Sequence, residues 1–463
     1  MTDLQQSRPQ AQLSVFDAVT IVVGLVVGIG IFRTPSIVAA NVEHEWLFIL
    51  VWVIGGLITL VGALCYAELS AAHPHAGGEY HFLSRAYGRS VAMMFGWARC
   101  TVIQTGAIAV VAFMLGDYIA QIAPLGPYGP AIYAALSVIV LTTVNFIGTA
   151  EGKNLQIIVT FIEVAAVIAI ILFGLLGSAD TPESAVAAAP ETAALGMAMI
   201  FVLLTYGGWN EAAYLTGELK DAPRNIAKVL TLGTLILVTL YVLTNWALLS
   251  ILGLEGLRAS DAVAADMMHV IAGEPGKIVV TVAIIVAAIS TLNATIFTGA
   301  RVFYVMARDM TILRWVAVWD SRGKTPANGQ VLQGIIALAL IAMGAITRDG
   351  FKAMVDYTAP VFWAFMLLVG LSLFILRWHY PERVLPYKVP LYPITPILFC
   401  LTCLYMFYAS VMYTGVAALI GLGVLAAGIP ILLFRVRDEQ EPEEPDAQPE
   451  ITALKQSHLG ETR

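Results

Sequence analysis

The sequence predicts an all-α integral membrane protein of about twelve transmembrane helices, the first and sixth of them discontinuous. Three observations predict it. Of 463 residues, 59% are hydrophobic and 12% charged, with a mean hydropathy of +0.81, a composition suited to lipid as the solvent. Apolar runs of about 20 residues follow one another with short polar connections, leaving little for a soluble domain. Two of these runs are broken by glycine, at Gly28-Ile29-Gly30 and at Gly207-Gly208-Trp209. Glycine loosens a helix, yet in hydrocarbon every freed N–H and C=O needs a partner, so such breaks should face a cavity rather than lipid.

Taken in order, the polar stretch 1–12 precedes a first apolar run with no small-residue cleavage site, which is therefore expected to stay in place. The spans lie at about 14–40, 46–70, 91–121, 127–147, 153–177, 195–218, 226–253, 277–308, 328–347, 352–377, 391–411 and 414–434. After the second span, the segment from Ala76 to Arg89 is too polar to cross and reads as a short amphipathic helix on the cytoplasmic side. The stretch from Ser184 to Ala194 is a small-residue outer loop, and the tail 435–463 is acidic, Pro-rich and expected to be disordered.

Lys and Arg crowd one set of loops (Arg85, Arg89, Lys153, Lys220, Arg224, Lys228 among others), while the opposite set carries Arg258, Lys277, Arg348 and Lys352. By the positive-inside rule both termini are cytoplasmic, in a cytoplasmic (plasma) membrane. The first and sixth spans are each broken and each followed by four continuous ones. Two successive units of five spans enter the membrane from opposite sides, so the repeat is inverted, with the last two spans outside it.

Several function classes are excluded or weakened. The net charge of −7 reflects the acidic tail, and no nucleic-acid surface is visible. No Gly-x-x-x-x-Gly-Lys-Ser/Thr loop for ATP and no nucleophile–base or metal constellation within the spans speaks for an enzyme or a cofactor. Cys65, Cys100, Cys400 and Cys403 fall in apolar runs and read as packing residues, and His73, His75 and His81 lack a helical metal spacing, so no metal is expected.

Taken together, Gly28-Ile29-Gly30-Ile31-Phe32 with Pro35, Tyr66-Ala67-Glu68-Leu69, Gly77-Gly78-Glu79-Tyr80, Thr205-Tyr206-Gly207-Gly208-Trp209-Asn210, Pro223-Arg224-Asn225-Ile226 after Glu218, and Ala300-Arg301-Val302-Phe303-Tyr304 resemble the amino acid–polyamine–organocation (APC) family of permeases, within it the bacterial and L-type amino acid transporters. The resemblance covers nearly the whole chain. It implies an inverted five-plus-five repeat, a transport core of helices 1–10 over 13–390, helices 11–12 over 391–434, and secondary transport of an amino acid by alternating access. Exchange, or amino acid sensing without transport, are the alternatives.

The resemblance places the substrate's α-carboxylate and α-amino groups at the two breaks. Val27, Gly28, Ile29, Gly30 and Ile31 would offer N–H groups and a positive dipole end to the carboxylate. Leu204, Thr205 and Tyr206, with Gly207, Gly208 and the wall Trp209, would offer carbonyls to the ammonium. Gln104 and Asn293 either line the pocket or bond helix to helix. Leu204 stands where many L-type members carry a gating Phe.

In the fifth span, where many proton-linked relatives place a Lys, Thr160 is followed by Glu163. A carboxylate within a span is a functional hypothesis by default. Three roles stay open: a proton carrier, a sodium ligand together with Ser290 or Thr291, or a structural partner of Arg99 or Arg301. Arg33, Asp17, Glu218 and Arg301 are gate candidates or interfacial residues. The pocket positions carry no other acidic group, which weighs against a strictly cationic substrate. L-type members that need a glycoprotein heavy chain use a cysteine after the third span. Gly116 to Pro130 contains none, so no such partner is expected.

Overall fold

The structure, a computed structural model, describes residues 13–75, 77–147, 153–177, 195–309, 315–316, 326–347, 349–383, 385–413 and 415–434. The tails 1–12 and 435–463 and the outer loop 184–194 lie outside the described residues. Among the described residues eight helices are long and apolar enough to cross a membrane, and shorter apolar helices supply the rest of about twelve crossings.

The first span is α1 (Val15–Val26), a 3-10 turn (Ile29–Phe32) and α2 (Thr34–Ala39). Ser14 and Asp17 start α1 with a reciprocal capping box, in which each side chain accepts from the other's backbone N–H. The second span is α3 (Glu45–Ala72). The expected amphipathic helix follows as α4 (Gly78–Tyr87). The third span is α5 (Arg89–Ala98), a π-helical turn (Arg99–Ile103) and α6 (Gln104–Ile122). The fourth and fifth are α7 (Gly129–Ile147) and α8 (Lys153–Leu176).

The sixth span is α9 (Leu195–Thr205), a glycine break, and a 3-10 segment (Trp209–Gly217). The seventh and eighth are α10 (Ala222–Ala259) and α11 (Val263–Asp309), and here the expected boundaries need correction. Most of the stretch between 253 and 277 is helical rather than loop. Gly253 and Gly273, both at φ 63°, turn the backbone while short helical pieces fill the connection. A glycine at positive φ with extended ψ redirects a helix through a conformation that is essentially open to glycine alone. The ninth to eleventh spans are α12 (Ala327–Ile346), α13 (Gly350–His379) and α14 (Ile394–Tyr413). The last is α15 (Val416–Ala426) with a terminal 3-10 piece (Ile429–Phe434).

The terminal face is the face from which α1 starts. There Leu13 pairs with the end of the sixth span: Leu13 N–H donates to the Glu218 carbonyl and Lys220 N–H to the Leu13 carbonyl, 2.9 and 3.0 Å. Inside the bundle, α1 packs against α8, α10 and the 3-10 segment of the sixth span, and α2 packs on α9, so the two broken spans lie side by side.

Candidate functional site

The two breaks touch. Thr205, last residue of α9, holds its hydroxyl 2.8 Å from both the Thr34 hydroxyl and the Phe201 carbonyl. A Cβ on Gly30 would lie 3.6 Å from Thr205, and one on Gly208 would lie 3.2 Å from the Leu25 carbonyl. Gly208 sits at φ 102°, a conformation that only glycine adopts without strain. The sixth span therefore turns where it meets the first.

Each break leaves backbone groups without helical partners. The N–H groups opening the Ile29–Phe32 turn have no acceptor inside it, and the last carbonyls of α9 lose their helical donors where the chain turns. Two expectations are corrected here: the Val27 and Gly28 N–H groups already donate to the Val23 and Val26 carbonyls at 2.7 and 2.6 Å, and the Leu204 carbonyl accepts the Gly207 N–H at 2.9 Å, because the helix tightens at its end, so the unclaimed carbonyls belong to its neighbours. The Tyr206 side chain points away, its hydroxyl 3.2 Å from the Trp52 carbonyl. Trp209 is buried against Tyr66, ring centroids 4.8 Å apart. With Leu203, Gly207, Trp363 and Met366 it lines an apolar cavity of about 10 Å³, room for about one water.

Glu163 lies at the other side of the first break. It is 4% exposed and, with Val27, Gly28, Phe32, Ala283 and Ile284, lines a second cavity of about 10 Å³. Its Oε2 has no hydrogen-bond partner among the described residues, nor have the hydroxyls of Thr160 and Thr291. Thr160 packs on Gly24 and Thr291 on Gly28, so all three oxygens border the same stretch of the first span. Ser290 is half-buried one residue before Thr291.

Pairing of Glu163 with Arg99 is overturned, because Arg99 is taken elsewhere. It bonds Glu79 Oε2 at 3.2 Å and Glu211 Oε1 at 2.5 Å, on the terminal side of the second break. Glu79 and Glu211 are functional candidates that sequence reasoning passed over. The signal was available as two acidic residues beside glycine pairs, but nothing in the sequence joined them. The side chain of Arg301 lies outside the described ones.

On the opposite side of the breaks Arg33 sits between Asp117 (3.8 Å) and Asp261 (3.1 Å). It thus joins the end of the first break to the third span and to the connection between α10 and α11. The other expected residues are employed differently. Gln104 Nε2 donates to the Thr295 carbonyl at 3.0 Å, and Asn293 Oδ1 accepts from Asn145 at 2.7 Å, so both bond helix to helix. Asp17 caps α1, and Glu218 acts through its backbone carbonyl while its side chain is exposed. His73 is buried and burial, aided by Arg383, lowers its imidazole to about 3; His81 is lowered to about 3 by burial and by His75, against which its ring stacks at 4.3 Å.

The chain matches known proteins over most of its length. A family model described as amino acid permease matches residues 13–434. The chain is 28% identical over 420 residues to a b(0,+)-type amino acid transporter 1 of Mus musculus, covering 89% of this chain and 85% of the relative. The corresponding protein of Homo sapiens is 29% identical over 412 residues, covering 87% and 83%. A large neutral amino acids transporter small subunit 2 of Oryctolagus cuniculus is 26% identical over 445 residues, covering 93% and 81%.

Proposed function

This chain belongs to the amino acid permease family, and from that premise we propose that its amino acid substrate crosses at the junction of the two breaks, coupled to a proton carried by Glu163. The protein is a membrane transporter of amino acids. The zwitterion's carboxylate is held by the N–H groups of Ile29 and Gly30, and its ammonium by carbonyls of Thr205 and Tyr206 at the end of α9. These backbone groups recognise what all amino acids share. Trp209, with the apolar cavity behind it, meets the side chain.

The observation that carries the coupling role is the buried, unpartnered carboxyl oxygen of Glu163 beside Gly28. An ionised carboxylate without a partner is costly in such a place, whereas a protonated one is tolerated. Proton binding would thus favour one arrangement of the first break and proton release another. The unpartnered hydroxyls of Thr160 and Thr291 support a second reading, in which sodium takes the same place with oxygen ligands. The protein acts in the plasma membrane with both ends cytoplasmic, and it works without a heavy-chain glycoprotein.

The test is uptake of individual labelled amino acids by the purified chain alone in proteoliposomes, with and without an inward proton gradient, in the absence and then in the presence of sodium. Gradient-driven accumulation in the parent, abolished in Glu163→Gln while exchange across the membrane persists, is the expected result. Equal exchange in both proteins with no accumulation makes the chain an exchanger. Accumulation only with sodium selects the second reading.

A further inference from the structure

Four donors converge on Glu79 of α4. The Tyr66 hydroxyl (2.7 Å) and Asn210 Nδ2 (2.9 Å) donate to Oε1, and the Tyr214 hydroxyl (3.0 Å) and Arg99 (3.2 Å) to Oε2. Both oxygens of this carboxyl group are bonded and it is buried at 3% exposure, with Arg99 supplying the opposite charge. Arg99 reaches past it to Glu211 and lies over the Tyr214 ring, 4.9 Å from its centroid. It projects from the π-helical turn of the third span, a geometry concentrated at functional positions. The cluster ties together four separate segments: α3, α4, the π turn, and the 3-10 segment that follows the second break.

We propose that Glu79, Arg99 and Glu211 form the gate that closes the junction of the breaks from the terminal face. Asn210, Glu211 and Tyr214 all belong to the 3-10 segment of the sixth span, and each is bonded to Glu79 or Arg99. That segment cannot swing away from α4 and the third span without breaking these bonds together. The gate also touches the substrate wall directly: Tyr66 donates to Glu79 and packs edge-on against Trp209. Glu211 is the member most open to water, its side chain 32% exposed, so its bond to Arg99 is the first to be released. This rests on the transport assignment and is independent of the role given to Glu163.

The test measures reaction of an impermeant maleimide with single reporter cysteines in the full-length protein, without substrate or gradient. Ala213→Cys lies buried within the 3-10 segment, and Ser36→Cys lies buried in α2 beyond the first break. In Glu211→Gln, whose amide can still accept a hydrogen bond, labelling of Ala213→Cys from the terminal face should rise at least about fivefold, with Ser36→Cys unchanged or slower. Arg99→Gln should act in the same direction and more strongly. Should Arg99→Gln fail to fold, Glu211→Gln alone decides. Unchanged labelling of Ala213→Cys, or an increase at Ser36→Cys, overturns the gate.

Discussion

A buried imidazole next to the second span makes the stability of this protein depend on pH. The folded pKa of His73, about 3, lies below the ordinary 6.5, so between these values the unfolded chain binds the extra proton and stability falls as pH falls. The loss is about 2 kcal/mol between pH 7 and pH 5. Thermal unfolding in detergent should therefore show a shallower acid decline for His73→Gln than for the parent. Identical slopes would remove His73 from the account. Glu163 and Arg99 are charges within the apolar spans, and on sequence alone pairing of Glu163 with Arg99 or Arg301 is one of three open roles. The structure separates them, because Arg99 is engaged on the terminal side of the second break by Glu79 and Glu211 while Glu163 faces the first break. That a residue is charged and sits in a span is legible from composition and periodicity. Which partner it meets depends on contacts between segments far apart in the chain, and no local pattern encodes those. Gln104 and Asn293 illustrate the same limit, since pocket-lining and helix-bridging amides look alike until the facing helix is known.

At the scale of elements, both helix breaks were legible, since glycines that interrupt long apolar runs are hard to reconcile with hydrocarbon unless they line a cavity. Their contact was not, because it depends on α2 packing against α9 and on the Thr34–Thr205 hydroxyl pair. The αL turn at Gly208 is the sharpest consequence. Gly208→Ala would place a Cβ 3.2 Å from the Leu25 carbonyl at φ 102°, a strain of about 1–3 kcal/mol. Initial uptake rates should fall by about tenfold or more while the protein remains folded by thermal unfolding. Parent-like uptake would show that the turn is not needed. Arg33 tests the opposite closure. Its pair with Asp261 is largely open to water, the Asp261 side chain being 77% exposed, so each such contact contributes about 0.2–1 kcal/mol. Arg33→Gln should raise labelling of Ser36→Cys only about two- to fivefold, a smaller effect than Arg99→Gln produces at Ala213→Cys. The helical connection between α10 and α11 was missed because its pieces are short and polar, and Gly253 and Gly273 read as loop residues rather than as turns between helices.

For the whole molecule, composition and the order of motifs were sufficient for class and family, and the family match over residues 13–434 bears that out. Two arginine-centred clusters flank one junction, Arg33 on one side and Arg99 on the other. On the gate proposed above, a molecule with both clusters intact is the state between its two openings that alternating access requires. The buried Arg99 cluster is more extensively bonded than the Arg33 cluster. The molecule should accordingly open more readily on the Arg33 side when empty. What the sequence could not carry is the shape of the space around Trp209, which arises from the third dimension alone. The central claim is that the two breaks together hold the amino acid. An experimental structure of the protein with a transported amino acid bound tests it most directly. The account predicts the carboxylate within hydrogen-bond distance of the Ile29 and Gly30 N–H groups and the ammonium beside the Thr205 and Tyr206 carbonyls. A ligand held away from the first break, with those backbone groups left to water, would contradict it.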